Sequence, residues 1–297
     1  MHGITQVPMV IVKLYAGSVS SFFKFQDTLD SIPADLSEIL LSYSGIAKDN
    51  QLQHILKLRD EAYAIYPYPC LAVFLFLEFN LSTHPSYKEH VLSPLMEPCL
   101  NGTVEPLFLD IGTCFGQDLR KLVYDGALAN RIWASDINSD FIELGFKLFN
   151  DVDKWPKDHF LCPGNLLSNS PGDRLMVLDD KVTILHTAHI FHLFNLEDQK
   201  AVVDRCLRLL RKDTGKPVLV IGIQGGKTVA TSALRGDVPI FIHNEQSWEE
   251  LWRDICQNHV WRDNVKALEV KSELRKLRGE SEENMAWLVF EVCVTFS

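Results

Sequence analysis

One short segment of the chain combines an acidic residue, two glycines and a cysteine in a spacing that suits ligand binding. In FLDIGTCFGQDLRKL an apolar run ends at Asp110, and Gly112 and Gly116 border the turn that follows it. Glycine lets a backbone approach a ligand closely, and the helix predicted next points free N–H groups at the same place. Cys114 stands where a glycine-rich loop usually has its middle glycine. The segment predicts a ligand site at the carboxyl end of a strand.

Two nucleoside ligands compete for this loop, a dinucleotide and S-adenosylmethionine. A dinucleotide loop follows the pattern G-x-G-x-x-G, which seats the pyrophosphate on a helix N-terminus. The loop here reads G-T-C-F-G and does not match that pattern. Asp110 would repel a pyrophosphate, whereas it would attract the sulfonium and ammonium groups of S-adenosylmethionine. We therefore expect S-adenosylmethionine as the cofactor.

The ends of the next two predicted strands carry further polar side chains. Asp136 ends IWASD, and its carboxylate can accept hydrogen bonds from both hydroxyls of a ribose. Asn165 follows the third strand in PGNLL, where its amide can hydrogen-bond an adenine edge. Asp136 would serve either nucleoside ligand, and taken alone it could be a helix N-cap. The order of these residues on consecutive strand ends favours a nucleoside site.

Histidines supply the candidates for acid–base chemistry. His186, His189 and His192 follow the fourth predicted strand, and His243 follows the fifth. A phenol or alcohol acceptor gains from a general base, and histidine is the usual one, whereas an ionised carboxylate needs none. We expect His189 and His243 to face the substrate. The alternative for each histidine is a structural role.

The elements that position these residues fall into two parts. Residues 1–100 are predicted as a helical cap, with the apolar run CLAVFLFLEF as a buried helix, and residues 101–297 as the cofactor-binding core. In the core, strands such as KPVLVIGIQ alternate with helices such as NEQSWEELWRDICQNH, and two strands close the chain. This order predicts an α/β fold with a doubly wound, seven-stranded, mostly parallel, Rossmann-like sheet, as in class I methyltransferases.

Composition excludes several other classes of protein. The 297-residue chain has a net charge of −10, which argues against binding nucleic acid. Its seven cysteines form no C-x-x-C motif, so we expect neither disulfides nor a metal site, and a cytoplasmic location. The longest apolar run is too short to span a membrane, which needs about 20 residues. The oligomeric state stays open, with a homodimer as one option.

Several segments together resemble fungal methyltransferases of meroterpenoid biosynthetic clusters. The resemblance covers most of the chain, and the run DIGTCFGQDLRKLVYDGA is its most specific part, so the cysteine in the loop is ordinary for that family. The other segments are YSGI, LRDEAY, YPYPC, LGFKLFND, FHLF and HNEQSW.

The resemblance implies a class I fold, S-adenosylmethionine as the methyl donor, and a small polyketide–terpenoid acid or phenol as the acceptor. Typical members convert a carboxylate to a methyl ester. By position, Asp136 and Ile137 match the ribose segment, and Asn165 and Leu166 match the adenine segment, where the family commonly has Asp. His189 stands where a small residue is common. These two departures keep open an alternative, a repurposed fold that catalyses cyclisation or isomerisation without methyl transfer.

Overall fold

The computed structural model describes most of the chain. The described residues are 25–96, 104–156, 158–168, 170, 172–276 and 284–297.

The central feature of the described residues is a seven-stranded sheet in the order β3-β2-β1-β4-β5-β9-β8. Strands β1 to β5 pair in parallel, whereas β9 pairs antiparallel with both β5 and β8. This confirms the predicted mostly parallel sheet and its closing antiparallel strand. The strands are β1 (Phe108–Ile111), β2 (Ile132–Ser135), β3 (Phe160–Leu161), β4 (Ile184–Ala188), β5 (Val218–Lys227), β6 (Thr231–Arg235), β7 (Val238–Ile242), β8 (Val265–Lys276) and β9 (Met285–Phe296).

Helices cover both faces of the sheet, and three of them begin at an asparagine. Asn138, Asn195 and Asn244 each accept a hydrogen bond from a backbone N–H of the first turn, which satisfies a donor that the helix leaves free. The α-helices among the described residues are α1 (Ala34–Ser42), α2 (Lys48–Ile65), α3 (Pro69–Ala72), α4 (Ser93–Met96), α5 (Gln117–Tyr124), α6 (Ser139–Phe149), α7 (Leu196–Leu209) and α8 (Glu245–Cys256). In the part of the chain described here, none of the helices combines the length and the apolar character needed to cross a membrane.

Two local predictions are wrong. The run CLAVFLFLEF is not one helix, because Phe74 adopts a left-handed backbone with φ of 59° and ends the short helix α3. Between the fifth strand and the helix at Asn244, the prediction contained no strand. The structure places there the antiparallel hairpin of β6 and β7, which turns at Gly236 with φ of 63°.

Alternating residues of the strands fill two different cores. Phe108 packs with α5 on one face of the sheet, whereas Leu109 packs with α7 and α8 on the other, as the two-residue period of a strand requires. A third cluster joins α1 and α2 to Phe115 and to Phe141 of α6. The N-terminal helices therefore pack directly on the glycine loop, at Phe115, and on α6. The predicted boundary between residues 100 and 101 lies outside the described residues, as do residues 1–24 of the predicted cap.

Candidate cofactor and substrate site

The loop between β1 and α5 has a left-handed backbone at three alternating residues. The φ angles are 70° at Gly112, 50° at Cys114 and 64° at Gly116. Cys114 therefore adopts the conformation of the middle glycine that it replaces, and its side chain packs against the N-terminal helices. A Cβ at Gly112 would meet the end of the Ile190 side chain, which would have to move, and the φ of 70° itself favours glycine at this position.

Asp136 holds this loop from the end of β2. Its Oδ2 accepts a hydrogen bond from the backbone N–H of Cys114 (2.9 Å), and its Oδ1 accepts one from Asn138 (3.0 Å). Burial raises the pKa of the carboxyl to about 6, although the backbone donors oppose that shift. A carboxylate has about four acceptor sites, so two remain for the hydroxyls of a ribose. The residue fits the predicted role in ribose binding.

The segments after β2 and β3 provide an apolar and a polar wall beside Asp136. Ile137 is 37% exposed, whereas Leu166 is 7% exposed. The Oδ1 of Asn165 accepts a hydrogen bond from the N–H of Leu167 (3.0 Å), which orients the side chain. Among the described residues no hydrogen bond uses the Asn165 Nδ2 group, so it can donate to an adenine edge. The arrangement fits a nucleoside packed against Ile137.

Asp110 is paired with a histidine inside the sheet. It is the register partner of His186 on β4, and His186 Nδ1 lies 2.7 Å from Asp110 Oδ1. His186 was expected to follow the fourth strand, but it lies within β4. Burial lowers the pKa of this imidazole, but Asp110, its hydrogen bond and Asp118 together raise it above the ordinary value. One oxygen of Asp110 is thus engaged within the protein.

His189 lies just beyond the end of β4, on the side of the cofactor loop. It has a left-handed backbone with φ of 60°, and its ring packs against Trp287 with centroids 4.8 Å apart. Its Nε2 lies 3.5 Å from Nδ2 of Asn80. Burial, reinforced by the charge of His186, lowers the pKa of His189 to about 4. The ring is half-buried, so one part of it remains accessible.

The other two histidines are held by hydrogen bonds of the protein itself. His192 accepts a hydrogen bond at Nδ1 from the N–H of Gly225 (3.2 Å). His243 is 1% exposed, and its two ring nitrogens lie 2.8 Å from Gln199 Oε1 and 2.9 Å from Ser247 Oγ. Burial lowers the pKa of His192 to about 3 and that of His243 to about 4. Both ring nitrogens of His243 are thus engaged within the protein, and its catalytic role stays a prediction.

One segment of the N-terminal helical part faces the cofactor loop. Burial and then the charge of Asp136 raise the pKa of the Tyr68 phenol, which places this ring near the carboxylate. By contrast, Tyr43 donates to Asp151 at 2.8 Å, and Arg59 lies between the rings of Phe25 and Phe74. Of these three residues of the N-terminal part, Tyr68 is the one that faces this site.

Sequence reasoning missed three residues around the site. Asn80 and Trp287 contact His189 from distant parts of the chain, so no local signal could have indicated them. Arg235 lies at the tip of the β6–β7 hairpin. The turn sequence Arg-Gly-Asp between two short runs with apolar residues is a hairpin signal that could have located it.

The sheet order and the loop held by Asp136 are those expected of a class I methyltransferase that uses S-adenosylmethionine. Comparison with known proteins agrees. A family model described as the meroterpenoid methyltransferase N-terminal domain matches residues 24–77.

Three curated relatives are fungal enzymes. Asnovolin E/Chermesin D methyltransferase nvfJ of Aspergillus novofumigatus is 34% identical over 232 residues, covering 76% of this chain and 78% of the relative. O-methyltransferase phiE of a fungal species is 32% identical over 245 residues, covering 81% and 78%. Methyltransferase trt5 of Aspergillus terreus is 29% identical over 252 residues, covering 85% and 87%. The chain belongs to the family of fungal meroterpenoid methyltransferases, which confirms the resemblance seen in the sequence.

Proposed function

We propose that the protein converts a carboxylate of a small polyketide–terpenoid intermediate to its methyl ester. The observation that carries the proposal is the state of the histidines near the carboxyl end of the sheet. His186, whose pKa is raised, is 1% exposed and paired with Asp110, and the other three are weak bases. Burial lowers the pKa of His189 and His243 to about 4 and that of His192 to about 3. A base this weak is a poor match for a phenolic proton, whose pKa is about 10. A carboxylate is already ionised and needs no base.

The residues of the cofactor site are part of the same proposal. Asp136 would accept hydrogen bonds from the ribose, and Asn165 would donate to the adenine. When bound, S-adenosylmethionine supplies an electrophilic methyl group that one carboxylate oxygen gains, while the electrons of the broken C–S bond stay on sulfur as a neutral thioether. The proposed cofactor-binding residues are Asp110, Gly112, Cys114, Gly116, Asp136, Ile137, Asn165 and Leu166.

The protein's own contribution to the reaction is alignment and exclusion of water. Holding an acceptor oxygen in line with the methyl group removes much of the entropic barrier of a two-molecule reaction. The half-buried rings of Tyr68 and His189, with Trp287, would form apolar walls around the acceptor. Residues 1–100 would act as the cap that covers the bound cofactor.

The test uses the full chain, labelled S-adenosylmethionine and pairs of prenylated polyketides that carry a carboxylate, a phenol or both. Mass spectrometry with fragmentation then locates the added methyl group. We expect methyl esters from the acids and no reaction with compounds that have only a phenol. Methylation of the phenol alone would overturn the carboxylate assignment. Conversion with unchanged mass would support the rearrangement alternative instead.

A further inference from the structure

The β6–β7 hairpin is held beside the turn that carries His189 and His192. The N–H of Phe241 on β7 donates to the carbonyl oxygen of Phe194 (2.9 Å). The side chain of Gln199 ties the same two residues, because its Nε2 donates to both carbonyl oxygens, at 2.8 Å for Phe241 and 2.9 Å for Phe194. The hairpin is therefore fixed at the carboxyl edge of the sheet, beside the proposed acceptor site.

Arg235 lies on the inward face of this hairpin. It pairs with Val238, and the alternation of a strand puts both on the same face as Ile240 and Ile242. Those two isoleucines are 9% and 8% exposed, so this face packs on the protein. Leu234 is on the opposite face and is 71% exposed. The guanidinium of Arg235 is thus carried toward the molecule and not toward bulk solvent.

The charge of Arg235, on the hairpin, acts on two other parts of the site, the cap segment and the turn after β4. Burial raises the pKa of Cys70 and lowers that of His192. The charge of Arg235 lowers the pKa of Cys70, and it lowers that of His192 after the charge of His189. Cys70 belongs to the cap segment that carries Tyr68, and His192 belongs to the turn after β4. The positive charge of Arg235 is therefore near enough to act on both the cap segment and the histidine turn.

The structure shows no anionic partner for Arg235 in the part of the chain that it describes. Among the described residues no carboxylate forms an ion pair with it, and its side chain is half-buried. A partly desolvated cation is costly unless an anion meets it, and a guanidinium suits a carboxylate because both are planar and can form two hydrogen bonds.

We propose that Arg235 binds the carboxylate of the prenylated acid that accepts the methyl group. The proposal rests on the proposed function and adds a specificity residue to it. One carboxylate oxygen accepts from the guanidinium, and the other is left to gain the methyl group. Esterification removes the negative charge, so the product loses this attraction and leaves more readily than the acid. Arg235 thereby selects acids over neutral analogues.

The test compares R235Q and R235K with the wild type and with R262Q. Arg262 is 64% exposed and lies near Asp263, so R262Q is a matched surface control. Binding of a prenylated acid, of its methyl ester and of S-adenosylmethionine is measured by calorimetry, and KM and kcat are measured in parallel. Loss of a charge-assisted contact in R235Q should weaken acid binding and raise KM about 10- to 100-fold. R235K should recover part of this loss, while ester and cofactor binding stay unchanged.

Two results would overturn the proposal, and a third would separate it from the proposed function. Equal binding of the acid by R235Q and the wild type overturns the proposal. A selective loss of S-adenosylmethionine binding in R235Q also overturns it, because the cation would then hold the cofactor's own carboxylate. If acid binding depends on Arg235 but the methyl group is found on a hydroxyl, the carboxylate site stands and the proposed ester formation fails. Thermal unfolding of each variant shows whether the fold is retained.

Discussion

Arg120 and Asp151 form a buried two-point ion pair beneath the cofactor loop. Arg120 Nε lies 2.9 Å from Asp151 Oδ2, and Nη2 lies 3.0 Å from Oδ1. The remaining Nη1 donates to the carbonyl oxygens of Phe115 and Gly116, at 3.1 and 3.3 Å. The same carboxylate accepts from Tyr43 of the N-terminal part at 2.8 Å. One charged pair therefore connects the loop and α5 with the segment after α6 and with the N-terminal part.

Replacing one member of this pair should strongly destabilise the fold. In D151N the buried guanidinium loses its counterion, which costs about 3–5 kcal/mol in comparable pairs. Y43F removes one neutral donor to the same carboxylate and should cost about 1 kcal/mol. Denaturant unfolding of both variants measures the free energy of unfolding. A smaller loss in D151N than in Y43F would show that the pair does not stabilise the loop.

Because Cys114 has a left-handed backbone, we expect one substitution there to be neutral and another to destabilise the fold. In C114G the residue adopts φ of 50° without strain, so we expect stability and cofactor affinity close to the wild type. In C114V a β-branched side chain in that region should cost about 1–3 kcal/mol. Thermal unfolding and calorimetry with S-adenosylmethionine measure both properties. Cofactor binding that is lost in C114G would mean that the thiol itself contacts the ligand.

We expect the affinity for S-adenosylmethionine to fall in acid, because Asp136 becomes protonated. The ribose hydroxyls need the ionised carboxylate, and burial raises its pKa to about 6. Below about pH 6 the dissociation constant should therefore rise about tenfold per pH unit, as for one coupled proton. D136N should bind more weakly, with no such dependence. Burial also raises the pKa of Asp118 to about 6, so D118N serves as the control. This variant should keep the wild-type dependence of cofactor affinity on pH.

The same shift affects the stability of the protein without ligand. Because the folded state raises the pKa of Asp136 from 3.8 to about 6, it binds a proton more readily than the unfolded chain does. Its contribution to stability is therefore greatest in acid and declines as the pH rises through that interval. Unfolding of the wild type compared with D136N between these pH values should show this slope. The opposite slope would contradict the assignment.

The two histidines that the sequence selected as catalytic should behave differently. In H243Q the hydrogen bonds to Gln199 and Ser247 are disturbed inside the core, so stability should fall by about 1–3 kcal/mol. H189N should lower kcat for an acid less than tenfold, because a carboxylate needs no base. Steady-state kinetics and denaturant unfolding separate the two effects. A loss of kcat above a hundredfold in H189N would establish His189 as a base and favour a hydroxyl acceptor.

The amino-acid sequence by itself determined the class of fold and the position of the cofactor loop. Short apolar runs that alternate with amphipathic helices encode strands and helices through contacts only a few residues apart. The positive φ angles at Gly112 and Gly116 follow from glycine's conformational freedom, and Asp136 follows from its place at a strand end. These features are local, and this is why they could be predicted.

Tertiary structure decided which polar side chains meet. Asp110 and His186 are 76 residues apart in the chain, and they pair because β1 and β4 are neighbours in a particular register. His243 was expected from the sequence to face the substrate, but in the folded protein both of its ring nitrogens are engaged by Gln199 and Ser247. Arg235 became a candidate only when the β6–β7 hairpin placed it on the face that packs on the protein. Such contacts depend on strand order and on the packing of distant segments, and no short sequence pattern encodes these.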